Sequence, residues 1–490
     1  MEGQVPLPFD FHNPNQDPLS PDVLPVSALK PVGIKAATAG VAKLKHWIGL
    51  DRAIAYTVLG RSWLSFAGVV TVLLIARFLT PSEQGYYYTF SSLAMLQIVF
   101  ELGFSFVILQ LAAHERVSLT FLPDGEVAGD PVAHSRLASL LQKAVRWYSV
   151  AGILMVLAVL PAGLHFFSTQ QTAGPAVAWR TPWWLLVIGT MLNFQLDPIF
   201  SFLEGCGFVT KVAQRRLVQI LFGSLLGWTA LLMHHGLYSP ALVVLGQVAG
   251  GLAFLLFSKV RLLLKHLLSY PVGNNFVGWR REIWPFQWKI AISWMCSYVI
   301  LGLFNPVLFA YQGPVAAGRM GMSISIASAL GAVAISWMYT KTSPFGSMVA
   351  RGEIEKLDLL FFRTLRQSTA LLCTGAAVFF LVLLLVVRDY PRLANRVLPP
   401  WAFALLLLTT IMNHIISSEA LYLRSHKREP FLWQSVGVAV LLGGTTLFLG
   451  KFYGVGAVTV GYFSIGGLVS LVSGTYIFAA KRRQWHGVHT

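Results

Sequence analysis

Two cationic side chains, Arg61 and Lys289, lie within long apolar stretches of the sequence. A charged side chain near the centre of a bilayer costs about 2.5 to 3.5 kcal/mol on insertion scales, and it usually faces a cavity, a partner or an ion path. Residues that share a helix face with Arg61, at spacings of three or four, are Thr57, Ser65, Gly68 and Thr71. Lys289 has Ser293 and Ser297 on its face at spacing four. We therefore predict that Arg61 and Lys289, with Ser65, Ser293 and Ser297, form a binding site. The alternative is that either cation extends to the nearby membrane surface.

Carboxylates also occur within apolar stretches of the chain. Glu101 shares a helix face with Gln97 and Ser105, and Asp197 lies on a polar stripe that includes Asn193 and Ser201. Glu419 follows a third polar group, Asn413, His414 and Ser417. A carboxylate in such a position can take up a proton or an ion. We predict Glu101, Asp197 and Glu419 as ion-coupling residues, and a structural salt bridge or interhelical hydrogen bond is the alternative for each.

The sequence offers no motif for covalent, nucleotide or metal chemistry. Cys206, Cys296 and Cys373 stand singly, without the spacing of a disulfide framework or a zinc site. It contains no phosphate loop, dinucleotide fingerprint or nucleophile triad. We therefore expect no enzymatic activity, no catalytic residue, no cofactor and no bound metal.

The elements that position these residues are predicted to be membrane-spanning helices. Of the 490 residues 55% are hydrophobic and 12% are charged, which is about half the charged fraction of ordinary soluble domains. Apolar stretches of about 20 residues, long enough to cross a bilayer as helices, recur along the chain. The predicted spans are 54–79, 86–112, 147–168, 182–206, 217–235, 241–260, 284–310, 317–340, 368–387, 400–423, 431–450 and 455–479. The fold class is therefore predicted to be an all-α polytopic membrane protein with about 12 transmembrane helices.

The distribution of cations predicts the orientation of these spans. In the resulting topology, 28 of the 37 lysines and arginines lie in or beside the loops and tails on the side that holds both termini, and seven lie in or beside the loops on the other side. Because cytoplasmic loops carry the excess of positive charge, both termini are predicted to be cytoplasmic. The net charge of +17 is then an orientation signal, and no nucleic-acid partner is expected. The outer loops are too short for a catalytic domain, which argues against a membrane glycosyltransferase or polymerase.

A short motif recurs at the same point of two six-span halves. Pro81 and Gly85 follow the first span, and Pro314 and Gly318 follow the seventh, 233 residues later. Thr80 can cap the restarting helix, with Glu83 completing a capping box. Two halves in the same orientation imply a parallel repeat, as in several transporter folds. The predicted domains are a Pro-rich tail (1–53) with a possible surface helix from Ile34 to Leu50, a first six-helix lobe (54–262), a linker (263–283), a second six-helix lobe (284–480) and a basic tail (481–490).

The stretch from Ala76 to Tyr86, ARFLTPSEQGY, resembles the turn between the first two helices of bacterial O-antigen and exopolysaccharide flippases. The run Glu101-Leu102-Gly103-Phe104 resembles the acidic-Leu-Gly run that follows it in that family. These flippases belong to the multidrug/oligosaccharidyl-lipid/polysaccharide exporter superfamily. With the span number and layout, the resemblance covers about residues 54–480.

The resemblance implies two six-helix lobes in a V-shaped arrangement, alternating access, and a location in the bacterial inner (cytoplasmic) membrane. The implied cargo is a polyprenyl-diphosphate-linked oligosaccharide, whose diphosphate Arg61 and Lys289 could hold. Membrane lipids, a polysaccharide polymerase and glycosyltransferases are the expected partners. Three alternatives stay open: a multidrug or cation antiporter of the same superfamily, a non-transporting membrane scaffold of polysaccharide assembly, and a peptidoglycan-precursor flippase, for which fourteen spans would be expected.

Overall fold

The computed structural model describes residues 52–170, 177–426 and 428–486, and nearly all of them are helical. The helices of the first half are α1 (Arg52–Phe78), α2 (Pro81–Ala94), α3 (Gln97–Glu101), α4 (Phe104–Glu115), α5 (Pro131–Thr169), α6 (Arg180–Gly205), α7 (Val209–Leu232) and α8 (Ser239–Phe257). A hairpin of β1 (Leu119–Phe121) and β2 (Val127–Gly129) precedes α5. The helix predicted from Ile34 to Leu50 lies outside the described residues.

Helix α9 (Val260–Ser269) and a π-helical turn (Trp279–Ile283) connect the two halves. The helices of the second half are α10 (Trp284–Gly302), α11 (Phe304–Gln312), α12 (Pro314–Tyr339), α13 (Thr342–Arg351), α14 (Ile354–Asp389), α15 (Pro391–Ala394), α16 (Pro400–Ser425), α17 (Leu432–Phe452), α18 (Val455–Gly461) and α19 (Ser470–His486). A π-helical segment, Tyr462–Val469, joins α18 to α19. The all-α polytopic fold class is confirmed.

Each predicted span corresponds to a helix or to a bent series of helices. Within the described ranges, nine helices are long and apolar enough to cross a membrane, or up to eleven if each of two bent pairs counts as one span. The predicted span 217–235 falls on α7, which is not among these candidates and carries Arg215 and Arg216. Two helices extend well beyond their predicted spans: α5 begins at Pro131 and α14 at Ile354.

The turn that begins α2 forms as predicted. The Thr80 hydroxyl accepts a hydrogen bond from the backbone N–H of Glu83, whose carboxylate accepts one from the N–H of Thr80. This capping box satisfies two amides that a helix end leaves without partners. Pro81 occupies the first helical turn, where its fixed φ suits the helix.

The two halves contact each other closely beside this turn. A Cβ on Gly85 would overlap the backbone of Pro314, and a Cβ on Gly318 would lie 2.9 Å from the backbone nitrogen of Gly85. The Gln84 side chain donates hydrogen bonds of 2.8 Å to the carbonyls of Gly318 and Arg396. The two copies of the repeated motif therefore pack against each other, and glycine allows the helix backbones to approach.

Aromatic and polar contacts extend this interface between the halves. The rings of Tyr86 in α2 and Phe309 in α11 have centroids 4.8 Å apart. The buried Asn305 side chain donates a hydrogen bond of 2.9 Å to the Ser92 hydroxyl. This bond joins α11 to α2, while the Asn305 Oδ1 has no hydrogen-bond partner among the described residues.

The segment predicted as a linker packs against the N-terminal part of α5. The Ser139 hydroxyl accepts a hydrogen bond of 3.0 Å from the N–H of Val277, and Ser135 donates one of 2.8 Å to the carbonyl of Asn275. Arg136 forms ion pairs with Glu115 and Glu282. These bonds attach the connection between the halves to the first half, at the predicted cytoplasmic side.

Candidate functional site

Arg61 lies on an exposed face of α1. Its guanidinium carbon is 4.9 Å from the centroid of the Tyr339 ring, within the range of a cation–π interaction. Tyr339 is the last residue of α12, so Arg61 of the first half contacts the second half. Among the described residues, Arg61 forms no ion pair with a carboxylate. No carboxylate of the described ranges therefore neutralises its charge.

An apolar slot follows Arg61 along the same face of α1. Ser65 and Gly68 line a cavity of about 360 Å³ between α1, α12 and α14. The other lining residues are almost all apolar, among them Val72, Met322, Ile326, Leu330, Phe379 and Leu383. Val69 and Leu73, which also line it, are 57% and 64% exposed. This lateral slot therefore opens to the surroundings of the helix bundle, which in a membrane are lipid.

Two of the three predicted serine ligands, Ser65 and Ser297, use their hydroxyl hydrogens locally. Ser65 donates to the carbonyl of Arg61 at 3.1 Å, and Ser297 donates to the carbonyl of Ser293 at 3.0 Å. Such bonds to the preceding turn are the usual partners of serine within an apolar helix. The hydroxyl oxygens can still accept a hydrogen bond, but the donors are occupied in this structure.

Lys289 is exposed on α10 and lies beside Trp288, with its ammonium 5.7 Å from the ring centroid. Its neighbour Ile290 contacts the first half, since a Cβ on Gly103 would overlap the Ile290 side chain. The two predicted cations thus lie on separate helices of the two halves, each beside a contact between them.

Glu101 lies at a break between α3 and α4. Leu102 and Gly103 have φ values of 51° and 66°, and this left-handed pair ends α3 directly after Glu101. The carboxylate is buried, and its Oε1 accepts hydrogen bonds from Ser105 at 2.5 Å and from Tyr148 at 3.2 Å. Positive φ favours glycine, which accounts for Gly103 in the Glu-Leu-Gly run.

Asp197 lies near a buried arginine, Arg215, which falls between the predicted spans 182–206 and 217–235. Arg215 of α7 is 4% exposed, and its guanidinium carbon is 3.4 Å from the centroid of the Phe200 ring. It lies within range of an electrostatic interaction with Asp197. Its Nε and Nη2 have no hydrogen-bond partner among the described residues. Helix α7 begins at Val209, so Arg215 lies inside the helix. The four-residue spacing between Arg215 and Gln219, which is also buried, was the sequence pattern that could have indicated a shared helix face.

Two buried polar residues of the second half, His414 and Glu419, lie on α16. Oε1 of Glu419 accepts a hydrogen bond of 3.0 Å from Thr475, and its Oε2 has no partner within the described ranges. Nε2 of His414 is 2.9 Å from the Ser368 hydroxyl. Glu101 and Glu419 are thus buried, one in each half, and Asp197 is half-buried in the half that holds Glu101.

No protein-family model matches the chain, and no curated protein matches it. Solved structures do resemble it. One is an outward-facing conformation of a multidrug resistance MATE family transporter of the MOP superfamily, with a TM-score of 0.55, 15% identity, and coverage of 88% of this chain and 95% of that one. An inward-facing conformation of a multidrug resistance MATE family transporter has a TM-score of 0.53 and 14% identity, with coverage of 87% of this chain and 100% of that one. A MATE in the straight conformation has a TM-score of 0.51 and 14% identity, with coverage of 88% of this chain and 96% of that one. The chain therefore shares the fold of these transporters over most of its length.

Proposed function

We propose that this protein is a flippase that moves a polyprenyl-diphosphate-linked oligosaccharide across a bacterial inner membrane by alternating access. The observation that carries the proposal is the juxtaposition of Arg61 with the lateral slot. Arg61, which has no ion-pair partner among the described residues, lies one helical turn from Ser65 in the lining of the slot. A cation next to an apolar cavity that opens to lipid suits an amphiphile with an anionic head and a hydrocarbon chain. A polyprenyl diphosphate has both properties.

The slot lies between the two halves, which suits alternating access. Helix α1 belongs to the first half, and α12 and α14 belong to the second, so relative movement of the halves would widen or close the slot. The polyprenyl chain would remain in lipid and in the slot while the diphosphate moves past the small residues of α1. Lys289, on α10 of the second half, would provide the second cation for the diphosphate.

Glu101, Asp197 and Glu419 are proposed to couple this movement to an ion gradient. Each lies within the helix bundle, and Oε2 of Glu419 has no partner among the described residues. Burial penalises the charged form of a carboxylate, so protonation or ion binding changes the stability of its surroundings. Both termini would lie in the cytoplasm, and the polymerase and glycosyltransferases that handle the cargo would be the protein partners.

A second candidate is the export of hydrophobic cations, as by a multidrug antiporter. Two observations favour it: the solved structures with this fold include multidrug resistance transporters, and buried carboxylates could hold a cation. The exposed cations Arg61 and Lys289 oppose it, because they would repel such a substrate.

Translocation in proteoliposomes separates these functions. A fluorescent polyprenyl-diphosphate oligosaccharide should cross the bilayer with the wild type, and Arg61→Ala should slow it by about tenfold or more, the usual effect of losing a charge-assisted hydrogen bond. Arg351→Ala, which removes an exposed arginine from the end of α13, is the matched control and should transport normally. Equal rates in the two variants would remove Arg61 from the mechanism. Transport of a hydrophobic cation, without transport of the lipid, would support the antiporter.

A further inference from the structure

Two arginines lie together at the end of the slot that is predicted to face outward. Arg77 lies in the last turn of α1, and Arg396 lies in the turn after α15. Both line a cavity of about 670 Å³ with Asp389 and Tyr390. Within the described ranges neither arginine forms an ion pair, whereas Asp389 pairs with Arg388 at 3.6 Å. The cavity therefore has a surplus of positive charge.

This cavity is continuous with the lateral slot. Both are lined by Leu73, Ala76, Leu393 and Arg396. A ligand with its anionic group between Arg77 and Arg396 could therefore extend an apolar chain directly into the slot. The slot therefore has arginine next to it at both ends, with Arg77 and Arg396 at the outer end and Arg61 at the other end.

The position of Arg396 is fixed by the interface between the halves. Its carbonyl accepts a hydrogen bond of 2.8 Å from Gln84, and its Nη1 donates one of 3.4 Å to the Gln84 Oε1. Partial burial lowers the pKa of Arg396, and the nearby charge of Glu83 opposes this effect. A guanidinium has five N–H donors, so most of those of Arg396 are left for a ligand.

We propose that Arg77 and Arg396 form an outer anion site that receives the diphosphate of the lipid-linked cargo while its polyprenyl chain occupies the slot. This inference rests on the proposed function and adds a second headgroup position to it. The cargo would leave the Arg61 end and bind at the outer end before release. Two arginines suit a diphosphate because each can donate two parallel hydrogen bonds to its oxygens.

Binding of labelled polyprenyl diphosphate to the purified full-length protein tests the site. The background carries Arg61→Ala and Lys289→Ala, so that only the outer site is measured. Adding Arg77→Gln and Arg396→Gln should weaken binding by about tenfold for each arginine, or about 1.4 kcal/mol each. Asp389→Asn should strengthen binding several-fold, because it removes a negative charge that lines the cavity and repels an anionic ligand. Lys451→Gln, an exposed outer cation near the Phe452 ring, is the control and should change nothing.

The arginine substitutions should lower the affinity for the probe, whereas Asp389→Asn should raise it. A folding defect cannot raise the affinity, so the Asp389→Asn result cannot arise from misfolding. Equal binding by the double arginine variant and the Lys451→Gln control would overturn the outer site. So would displacement of the probe by phosphatidylglycerol or inorganic diphosphate as readily as by unlabelled polyprenyl diphosphate, since the site would then accept any phosphate. These results would leave the proposed function intact if the wild type transports the cargo. Absence of transport by the wild type would overturn the proposed function instead.

Discussion

Substitution of Gly85 by alanine should separate the two halves at their outer contact. The added Cβ would lie 2.5 Å from the carbonyl carbon of Pro314 and 2.8 Å from its Cα, whereas carbon atoms in contact are about 3.5 to 4.0 Å apart. The neighbour is backbone, so no side chain can rotate away. We expect α2 and α12 to move apart by about 1 Å.

This steric overlap should destabilise one conformation of the transport cycle relative to the other. Overpacking of a close interface costs about 1 to 3 kcal/mol. If the contact between Gly85 and Pro314 exists only while the outer side is closed, the variant should shift the equilibrium towards an outer-open state by about 5- to 150-fold. Gly444→Ala is the matched control, because a Cβ at Gly444 meets nothing within 4 Å.

Distances between spin labels measure this shift. Labels at Ser168 and Tyr453, exposed at the outer ends of α5 and α17, report on the separation of the halves once the exposed Cys373 is replaced by serine. Gly85→Ala should increase the population with the longer distance, and Gly444→Ala should match the wild type. Identical distance distributions for the two alanine variants would refute a close contact between the repeated turns that exists only in the outer-closed conformation.

Two further outcomes follow from the polar contacts. Burial alone would raise the pKa of Glu282, but hydrogen bonds from the guanidinium of Arg136 and the N–H of Gly278 outweigh it and hold this pKa below its ordinary value. The carboxylate therefore stabilises the fold above about pH 4.3. This stabilisation is lost as the pH falls through the lowered pKa. The thermal unfolding midpoint of the wild type should fall over this acidic range, and that of Glu282→Gln should fall less; parallel pH profiles would contradict the assignment. Glu101→Gln can keep the hydrogen bonds from Ser105 and Tyr148 but cannot exchange a proton, so transport in proteoliposomes should lose its acceleration by a pH gradient with little change in thermal stability. Unchanged acceleration would exclude Glu101 from coupling.

Local chemistry made the helix starts and the repeated turns predictable. Thr80, Pro81 and Glu83 each have a fixed role in a capping box, and this box forms in the structure. The recurrence of proline and glycine after 233 residues placed two equivalent turns in the chain. It could not show that the turns pack against each other, because a repeat specifies equivalent positions and leaves the interface between the copies undefined.

Residues at helix boundaries were the least predictable. Hydropathy treats an arginine beside an apolar stretch as the end of a span, so Arg215 was assigned to a loop, whereas α7 begins at Val209 and Arg215 is buried against Phe200. For the same reason, hydropathy did not predict that α5 begins at Pro131. The first turns of α5 contain both polar and apolar residues, and they pack against the connecting segment.

The candidate site was predictable in its residue types and not in its surroundings. Arg61 was singled out by its charge within an apolar stretch, and its spacing to Ser65 and Gly68 gave the shared face. The slot beside that face requires α12 and α14, which are more than 200 residues away in the chain. No pattern in one helix specifies which other helices pack beside it. The roles of these residues in binding stay predictions.

The charge selectivity of transport tests the central claim most directly. Wild-type proteoliposomes would receive two fluorescent cargoes with the same oligosaccharide and polyprenyl chain, one joined by a diphosphate and the other by a neutral linker. The proposed function predicts that the diphosphate-linked cargo crosses at least tenfold faster, because Arg61 and Lys289 can hold only the anionic group. Equal rates for the two cargoes, or faster transport of the neutral one, would contradict a diphosphate-binding flippase.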